Sequence, residues 1–309
     1  MIQARTFRAA APLVLVLSGV LSGAAGATNL DFGVSYSSYT NTGLTGRLGL
    51  SDFPVGANRF SAAISNRAAE LGVRRNLVIA GLGTARLGLN VADVYAGQPG
   101  VRVNADLGGT LGPVALSASL GVWNTYATAL DPLSAWNQVA LDPGVRGAQA
   151  NLEGRYRVSR DLIATLSGEL GAQSSGALIG EYRRGDLSYR LGARAGSGVL
   201  GAVVGGSYRA DAFTVGADAL LGAKSGVVLS VDAPAAVSLG GERAIDLSGY
   251  LAYESWRTVA LPLRYGVDAS VPLPIGPASD GTVKVGVRGG SGGVGARVGY
   301  TFTLGGAQP

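Results

Sequence analysis

The amino-acid sequence predicts an all-β fold: a transmembrane, antiparallel, up-and-down β-barrel that follows a cleaved signal peptide. Three observations carry that expectation. The chain opens with a short leader that is first charged and then apolar. Almost all of the rest alternates apolar and polar residues with a period of two, the period of a strand. The composition is 47% hydrophobic and only 15% charged, where a soluble globular domain carries roughly 25% charged residues. A surface this poor in charge implies a neighbour other than water.

The leader begins with Arg5 and Arg8. An apolar run from Ala9 to Val20 follows, densest at Leu13, Val14, Leu15, Val16 and Leu17, and small residues close it at Ala25-Gly26-Ala27. This is the order of a secretory signal peptide. The run is too short to cross a hydrocarbon layer of ~30 Å comfortably. Cleavage is expected after Ala27, which leaves residues 28–309 as a single barrel domain. After Thr28 no stretch reaches ~18 consecutive apolar residues, so no helical span is expected.

The residues that are missing exclude whole classes of function. The sequence has no Cys and no His. A disulfide scaffold is therefore ruled out. The usual general base and every Ser-His or Cys-His nucleophile pair are lost as well, and zinc sites lose their common ligands. The chain is expected to be no enzyme and to use no cofactor or metal. The net charge of +5 falls to +3 once Arg5 and Arg8 leave. That charge is spread out, and nucleic acid requires a clustered basic stripe.

The alternation is cleanest at the end of the chain. Val294, Ala296, Val298, Tyr300, Phe302 and Leu304 share one face, while Gly295, Arg297, Gly299, Thr301 and Thr303 share the other. Likewise Leu187, Tyr189 and Leu191 oppose Ser188, Arg190, Gly192 and Arg194. Turn signals separate such runs, among them Ser159-Arg160-Asp161, Gly185-Asp186 and Gly109 through Pro113. About fourteen segments are clear from Ala85 onward. They cover 85–94, 101–109, 112–123, 146–158, 161–172, 176–184, 186–196, 199–209, 212–222, 225–232, 244–254, 261–271, 282–289 and 293–304. Upstream, 30–38 and 43–51 also alternate. The stretch 58–83 admits one long strand, two shorter ones, or a short helix around Ala68. Single-chain barrels favour even counts, which gives about 16 strands with 18 as the alternative.

A sheet in lipid must close on itself, because no water there can satisfy a free N–H or C=O. Closure also removes exposed edges. Aromatic residues are expected at headgroup level. Tyr36, Tyr95, Trp123, Tyr156, Tyr208, Tyr253, Trp256 and Tyr300 lie near segment ends and are candidates for that girdle.

The polar face carries the candidate functional residues. Its cations are Arg86, Arg102, Arg155, Arg157 and Arg190 in the first half, then Arg194, Arg264, Lys284, Arg288 and Arg297. The acids of the same parity are Asp106, Glu153, Glu169 and Asp218, then Asp232, Asp246, Glu254 and Asp268. Rings of such charge set ion selectivity in pores. The bland alternative is that they pair across the wall and stabilise it. The slight cationic excess points to anion preference.

Connections give an orientation. If Leu304 ends on the periplasmic side, the long joint Asn124–Val145, with Asp131-Pro132, Trp136 and Asp142-Pro143, falls outside the cell. The tight Gly109–Pro113 joint falls inside, as the rule of short periplasmic turns requires. Two joints break that rule, since Ala233–Arg243 and Pro272–Gly281 would be long and periplasmic. The Asn124–Val145 joint is expected to be a surface loop, with a lumenal plug or constriction as the alternative. Other motifs carry little. Arg184-Gly185-Asp186 reads as a hairpin turn and not as an adhesion tripeptide. Gly222-Ala223-Lys224-Ser225 lacks the spacing of a phosphate loop. Asp31, Asp52 and Asp93 are isolated carboxylates without calcium-loop spacing.

The leader, the repeated dyad strands and the final run Val298-Gly299-Tyr300-Thr301-Phe302 together resemble the porin-like outer-membrane β-barrel proteins of bacteria with two membranes. The resemblance covers about Thr28 to Leu304. It implies an outer-membrane location, contact with outer-membrane lipid, and recognition of the last strand by the barrel-assembly machinery. It also allows a homo-oligomer. In that family the terminal strand usually ends the chain on an aromatic residue; here Gly305-Gly306-Ala307-Gln308-Pro309 follows Leu304. The function expected is a passive pore for ions or small polar solutes, because a barrel of ~16 strands is too wide for its side chains to fill. The alternative is a structural protein with a plugged lumen that supports the envelope or binds another of its layers.

Overall fold

The computed structural model describes residues 28–39, 43–95, 99–125, 130–138, 146–171, 174–240, 243–256, 261–275 and 280–304. The expected leader lies outside the described residues. Eighteen strands follow one another along the chain: β1 (Thr28–Ser37), β2 (Gly43–Val55), β3 (Asn58–Ser65), β4 (Ala68–Ile79), β5 (Gly83–Val94), β6 (Gly100–Leu111), β7 (Val114–Asn124), β8 (Arg146–Arg157), β9 (Leu162–Leu170), β10 (Ser175–Arg184), β11 (Leu187–Gly196), β12 (Val199–Arg209), β13 (Thr214–Gly222), β14 (Gly226–Gly240), β15 (Arg243–Glu254), β16 (Leu263–Pro272), β17 (Thr282–Gly290) and β18 (Gly293–Leu304). Each pairs antiparallel with the next. β18 returns to β1, from Thr28 opposite Leu304 to Ser37 opposite Gly295, and closes the sheet. Closure leaves no edge strand to solvate or aggregate.

The stretch 58–83 decides the count. It holds two strands, β3 and β4, joined at Asn66-Arg67, where Ser65 Oγ accepts from the backbone N–H groups of Arg67 and Ala68 at 3.1 and 3.0 Å. The strand number is therefore 18, and no helix forms at Ala68. Several hairpins on the end that carries Thr28 and Leu304 are tight, as at Gly56-Ala57, Gly112-Pro113 and Gly185-Asp186. Gly56, Gly112 and Gly185 take φ of 59°, 57° and 61° there, a conformation glycine adopts without steric cost. Arg184-Gly185-Asp186 is thus a turn.

One of the two joints that broke the orientation rule disappears. Residues 233–240 continue β14 through a bulge, and Gly240 pairs with Arg243. The two extra residues around Pro234 and Ala235 (φ 55° at Ala235) keep Val231, Val237 and Leu239 on one exposed face, but a proline within the run made the segment read as a joint. Asp246 fixes the bulge by accepting from the Ala235 N–H at 3.0 Å. The 273–281 connection between β16 and β17 remains long on the terminus-bearing end. A second bulge interrupts β2 between Leu50 and Phe53, with Asp52 at φ 61°.

The strand faces are the inverse of those of a water-soluble protein. Outward residues such as Leu152 (59% exposed), Leu191 (68%) and Leu200 (69%) form a continuous apolar band. A contiguous apolar surface of this extent is unstable against water and suited to lipid. The girdle tyrosines Tyr36, Tyr156, Tyr208 and Tyr253 are exposed on this face near strand ends. Two of the girdle candidates are corrected. Trp123 lies on the inward parity, under the Arg102 guanidinium at 5.9 Å from the ring centroid. Trp256 is buried inside the barrel against Val199, Val203 and Leu220, with Arg194 stacked on it at 4.6 Å. Near the ends of strands the face a side chain takes follows strand parity and loop direction, which proximity to an end does not reveal.

Candidate functional site

The barrel interior is built from the polar parity of all eighteen strands together with a segment that enters from the β7–β8 connection. Residues 130–138 lie against the inner wall and not on the outer surface, so the lumenal alternative for this joint holds over those residues. The segment contains one 3-10 turn, Ser134–Trp136. Residues 126–129 and 139–145 of the same joint lie outside the described residues.

Trp136 is the anchor. It is fully buried, packs edge-on to Tyr39 with centroids 5.5 Å apart, and touches Ala135 and Leu261. Its indole N–H donates to the Ser291 carbonyl at 3.1 Å, as a buried indole must find an acceptor. Leu133, also fully buried, fits over β18 because position 295 is glycine. A Cβ there would meet Leu133 Cδ1 at 3.3 Å and the Tyr36 carbonyl at 2.8 Å. Ser37 Oγ donates to the Pro132 carbonyl at 3.2 Å, and the Tyr250 hydroxyl donates to the Trp136 carbonyl.

Charged groups of the wall complete the seat. Arg264, fully buried, donates to the Asn137 and Gln138 carbonyls at 3.0 and 3.3 Å and pairs with Glu254. Arg288 reaches the Asn137 side chain and pairs with Asp268 at 2.9 Å. Arg297 bridges Asp268 at 3.3 Å and Asp131 of the loop at 3.8 Å. Four of the predicted lining residues, Arg264, Asp268, Arg288 and Arg297, are thus brought into one network. That network holds the loop as much as it faces any solute.

Beside the loop a hollow of about 500 Å³ remains, lined by Asp31, Arg47, Glu70, Asp131, Lys284 and Arg297 among others. Across the barrel, Asp106, Glu153 and Glu169 line a second hollow with Ser117, Ser119, Asn151, Ser167 and Arg194. The interior is therefore divided. Cations outnumber carboxylates on β16–β18 where the loop docks, whereas the inward face of β6–β9 balances Asp106, Glu153 and Glu169 with Arg102, Arg155 and Arg157. Between these regions Arg190 grips Asp218 with Nε and Nη2 at 2.7 and 3.0 Å, a bidentate pair that stiffens the wall. A Cβ at Gly205 would fall 2.0 Å from that carboxylate, so glycine makes room for it.

The remaining predicted residues are dispersed. Arg86 stands opposite Asp106 in register. Arg155 lies opposite Ala115 and Thr165. Arg157 donates to the Ser159 and Arg160 carbonyls at 3.3 and 3.0 Å, tying down the β8–β9 turn. Asp246 serves the bulge. Asp232, Asp246, Asp268 and Lys284 border a smaller hollow.

Sequence reasoning missed Asp131, Asn137, Tyr250 and the pairs Arg47–Glu70 (3.7 Å) and Arg74–Asp52. The last two stand on β2–β4, where the strand boundaries were open and parity gave no guide. Asp31, read as isolated, accepts from Thr301 Oγ1 at 2.7 Å and from Ser51 Oγ at 3.4 Å. Among the described residues no group of three or more carboxylates is placed to hold a metal ion.

No protein-family model and no curated protein matches the chain. Solved structures do match. Pseudomonas aeruginosa OccK11 (OpdR) aligns over 90% of this chain and 95% of its own, at 13% identity and a TM-score of 0.54. OccK2 (OpdF) of the same organism, solved in complex with glucuronate, aligns over 90% and 97% at 12% identity and 0.49. A triple mutant of the Rhodopseudomonas blastica porin aligns over 90% and 99% at 16% identity and 0.43. At these identities the likeness to OccK11 establishes the fold: a closed, porin-like β-barrel.

Proposed function

We propose that this chain is an exported outer-membrane barrel that forms a passive pore for ions or small polar solutes, narrowed by residues 130–138. The observation that carries this reading is the pairing of a continuous apolar outer face with an inner face of charged and hydroxylated residues. Lipid suits the first and water the second. The residues predicted as pore-lining share the parity of that inner face, and hollows on two sides of the lumen leave space beside the loop. The excess of cations on β16–β18, against a balanced β6–β9, presents a polar solute with a positive side of the lumen as it passes. Arg264, Arg288 and Arg297 contact the loop, and with Lys284 in the hollow beside it they favour anions at the narrowing. The porin-like fold agrees with a channel and not an enzyme.

Single-channel recording in a planar bilayer under a salt gradient tests the reading. Discrete conductance steps, with a reversal potential of anion-preferring sign, are the expected result. Clean insertion without current would overturn the pore and favour the second reading, a structural barrel with a plugged lumen. The dense anchoring of residues 130–138 is the observation behind that second reading.

A further inference from the structure

The outward face of β2–β5 is not a smooth band. It contains a recess of about 390 Å³ lined almost wholly by apolar side chains, among them Phe53, Phe60, Leu71, Val73 and Leu89. Its floor is Leu50 and Ala62, which pair with each other and are only 5% exposed, although Leu71 and Leu89 on the same face are 50% and 43% exposed. Two local features create it. The β2 bulge after Leu50 displaces Phe53 along the strand. The small side chain of Ala62 leaves the space between Leu50 and Leu71 unfilled.

A charge stands at the rim. Arg75 belongs to the outward parity: it pairs with Asn58 and Leu87, while its neighbour Arg74 turns inward to Asp52. Arg75 is exposed and lies two residues from Val73 of the recess. Among the described residues, every other charged side chain on the outward parity (Asp93, Arg146, Arg184 and Arg243) sits at or next to a strand end. Arg75 is four residues inside β4, toward the barrel end that carries Thr28 and Leu304. A cation on a lipid-facing surface is costly unless it reaches an anion at the interface, and its apolar stem lets it do so.

We propose that this recess and Arg75 form one binding site for a phosphate-bearing phospholipid of the leaflet at that end. One acyl chain lies in the recess over Leu50 and Ala62. The guanidinium takes the phosphate, for which its planar fork is matched, with the Asn58 amide beside it. The site rests on the membrane-spanning reading but not on conduction, because Arg75 faces away from the lumen.

The test is native mass spectrometry of the purified barrel in a neutral detergent, titrated with phosphatidylglycerol and, separately, with a diacylglycerol that lacks phosphate. Wild type is expected to retain one phosphatidylglycerol and to hold it about five- to tenfold more tightly than the diacylglycerol. Arg75→Gln erases that difference. Ala62→Phe fills the recess and lowers retention of both lipids, with heat-modifiability in SDS gels confirming that it folds; if it does not fold, Arg75→Gln alone decides. Equal retention by wild type and Arg75→Gln would overturn the proposal. So would an oligomer that carries no lipid and that Ala62→Phe dissociates, since the occupant would then be a second copy. Conductance of Arg75→Gln stays at the wild-type level, so a failure of the pore reading is seen separately.

Discussion

Trp136 shows what one side chain contributes inside a barrel with a polar lumen. Its indole is removed from water on all sides and its N–H is satisfied, so truncation forfeits both packing and a hydrogen bond. Trp136→Ala is expected to cost ~3–5 kcal/mol of loop docking, the usual range for an aromatic truncated in a packed site. Single-channel recordings should then show a larger and noisier conductance step. The Arg264–Glu254 pair is coupled differently. Glu254→Gln leaves a buried guanidinium without its counter-charge, which typically costs ~3–5 kcal/mol. The double variant with Arg264→Met should recover most of that loss in urea unfolding of the barrel in vesicles. Neither partnership could be read in advance. Trp136 was visible as the aromatic of a long joint, but a joint has no period, and only the period tells which way a residue turns. Glu254 and Arg264 were placed on the correct face by parity alone; their contact depends on the β15–β16 register.

At the scale of elements, strands were misread where the turn signals misled, by a turn without glycine or proline and by a proline inside a strand. From Ala85 onward the strands were legible because each is a two-residue repeat between turn residues. Strands β3 and β4 blurred together because Asn66-Arg67 is a two-residue turn without Gly or Pro. The last eight residues of β14 were hidden because Pro234, at the bulge, reads as the end of a strand. The connection from β16 to β17 has its own latch. Both Asp280 carboxylate oxygens accept from the Thr303 N–H at 3.1 Å, and Tyr300 donates to the Leu273 carbonyl at 3.0 Å. Hydrogen bonds from Thr303, side chain first and backbone second, hold the Asp280 carboxyl below its ordinary value of 3.8. A carboxyl lowered on folding stabilises the fold above its unfolded pKa, and that contribution is lost as the pH falls through the lowered folded value. The end of β18 should therefore loosen below about pH 3.8. Amide exchange at Thr303 should rise there, and Asp280→Asn should show the faster exchange already at neutral pH.

For the whole molecule, the local excess of cations on β16–β18 has more consequence than the net charge, which is small. Replacing Arg288 and Arg297 together with Gln removes two cations from the loop side and leaves Asp131, Asp268 and the β6–β9 carboxylates in place. The reversal potential in a salt gradient should move toward cation preference, by more than the same change made at Arg86 and Arg155. An unchanged potential would place the selective region elsewhere. The closed sheet and the two faces were legible in the sequence because lipid and water impose opposite chemistry on alternate residues. The division of the interior was not, because it depends on which strands the inserted segment meets.

That segment leaves the wall between β7 and β8, yet its seat is made of β15–β18, Ser37 and Tyr39. The seat is complete only when the last strand has joined the first. The wide cylinder must therefore close before it can be fully narrowed. Loop closure over so long a span is entropically slow. A freshly closed barrel should leak more than a mature one, and the interval between the two states is the time Trp136 takes to find its place.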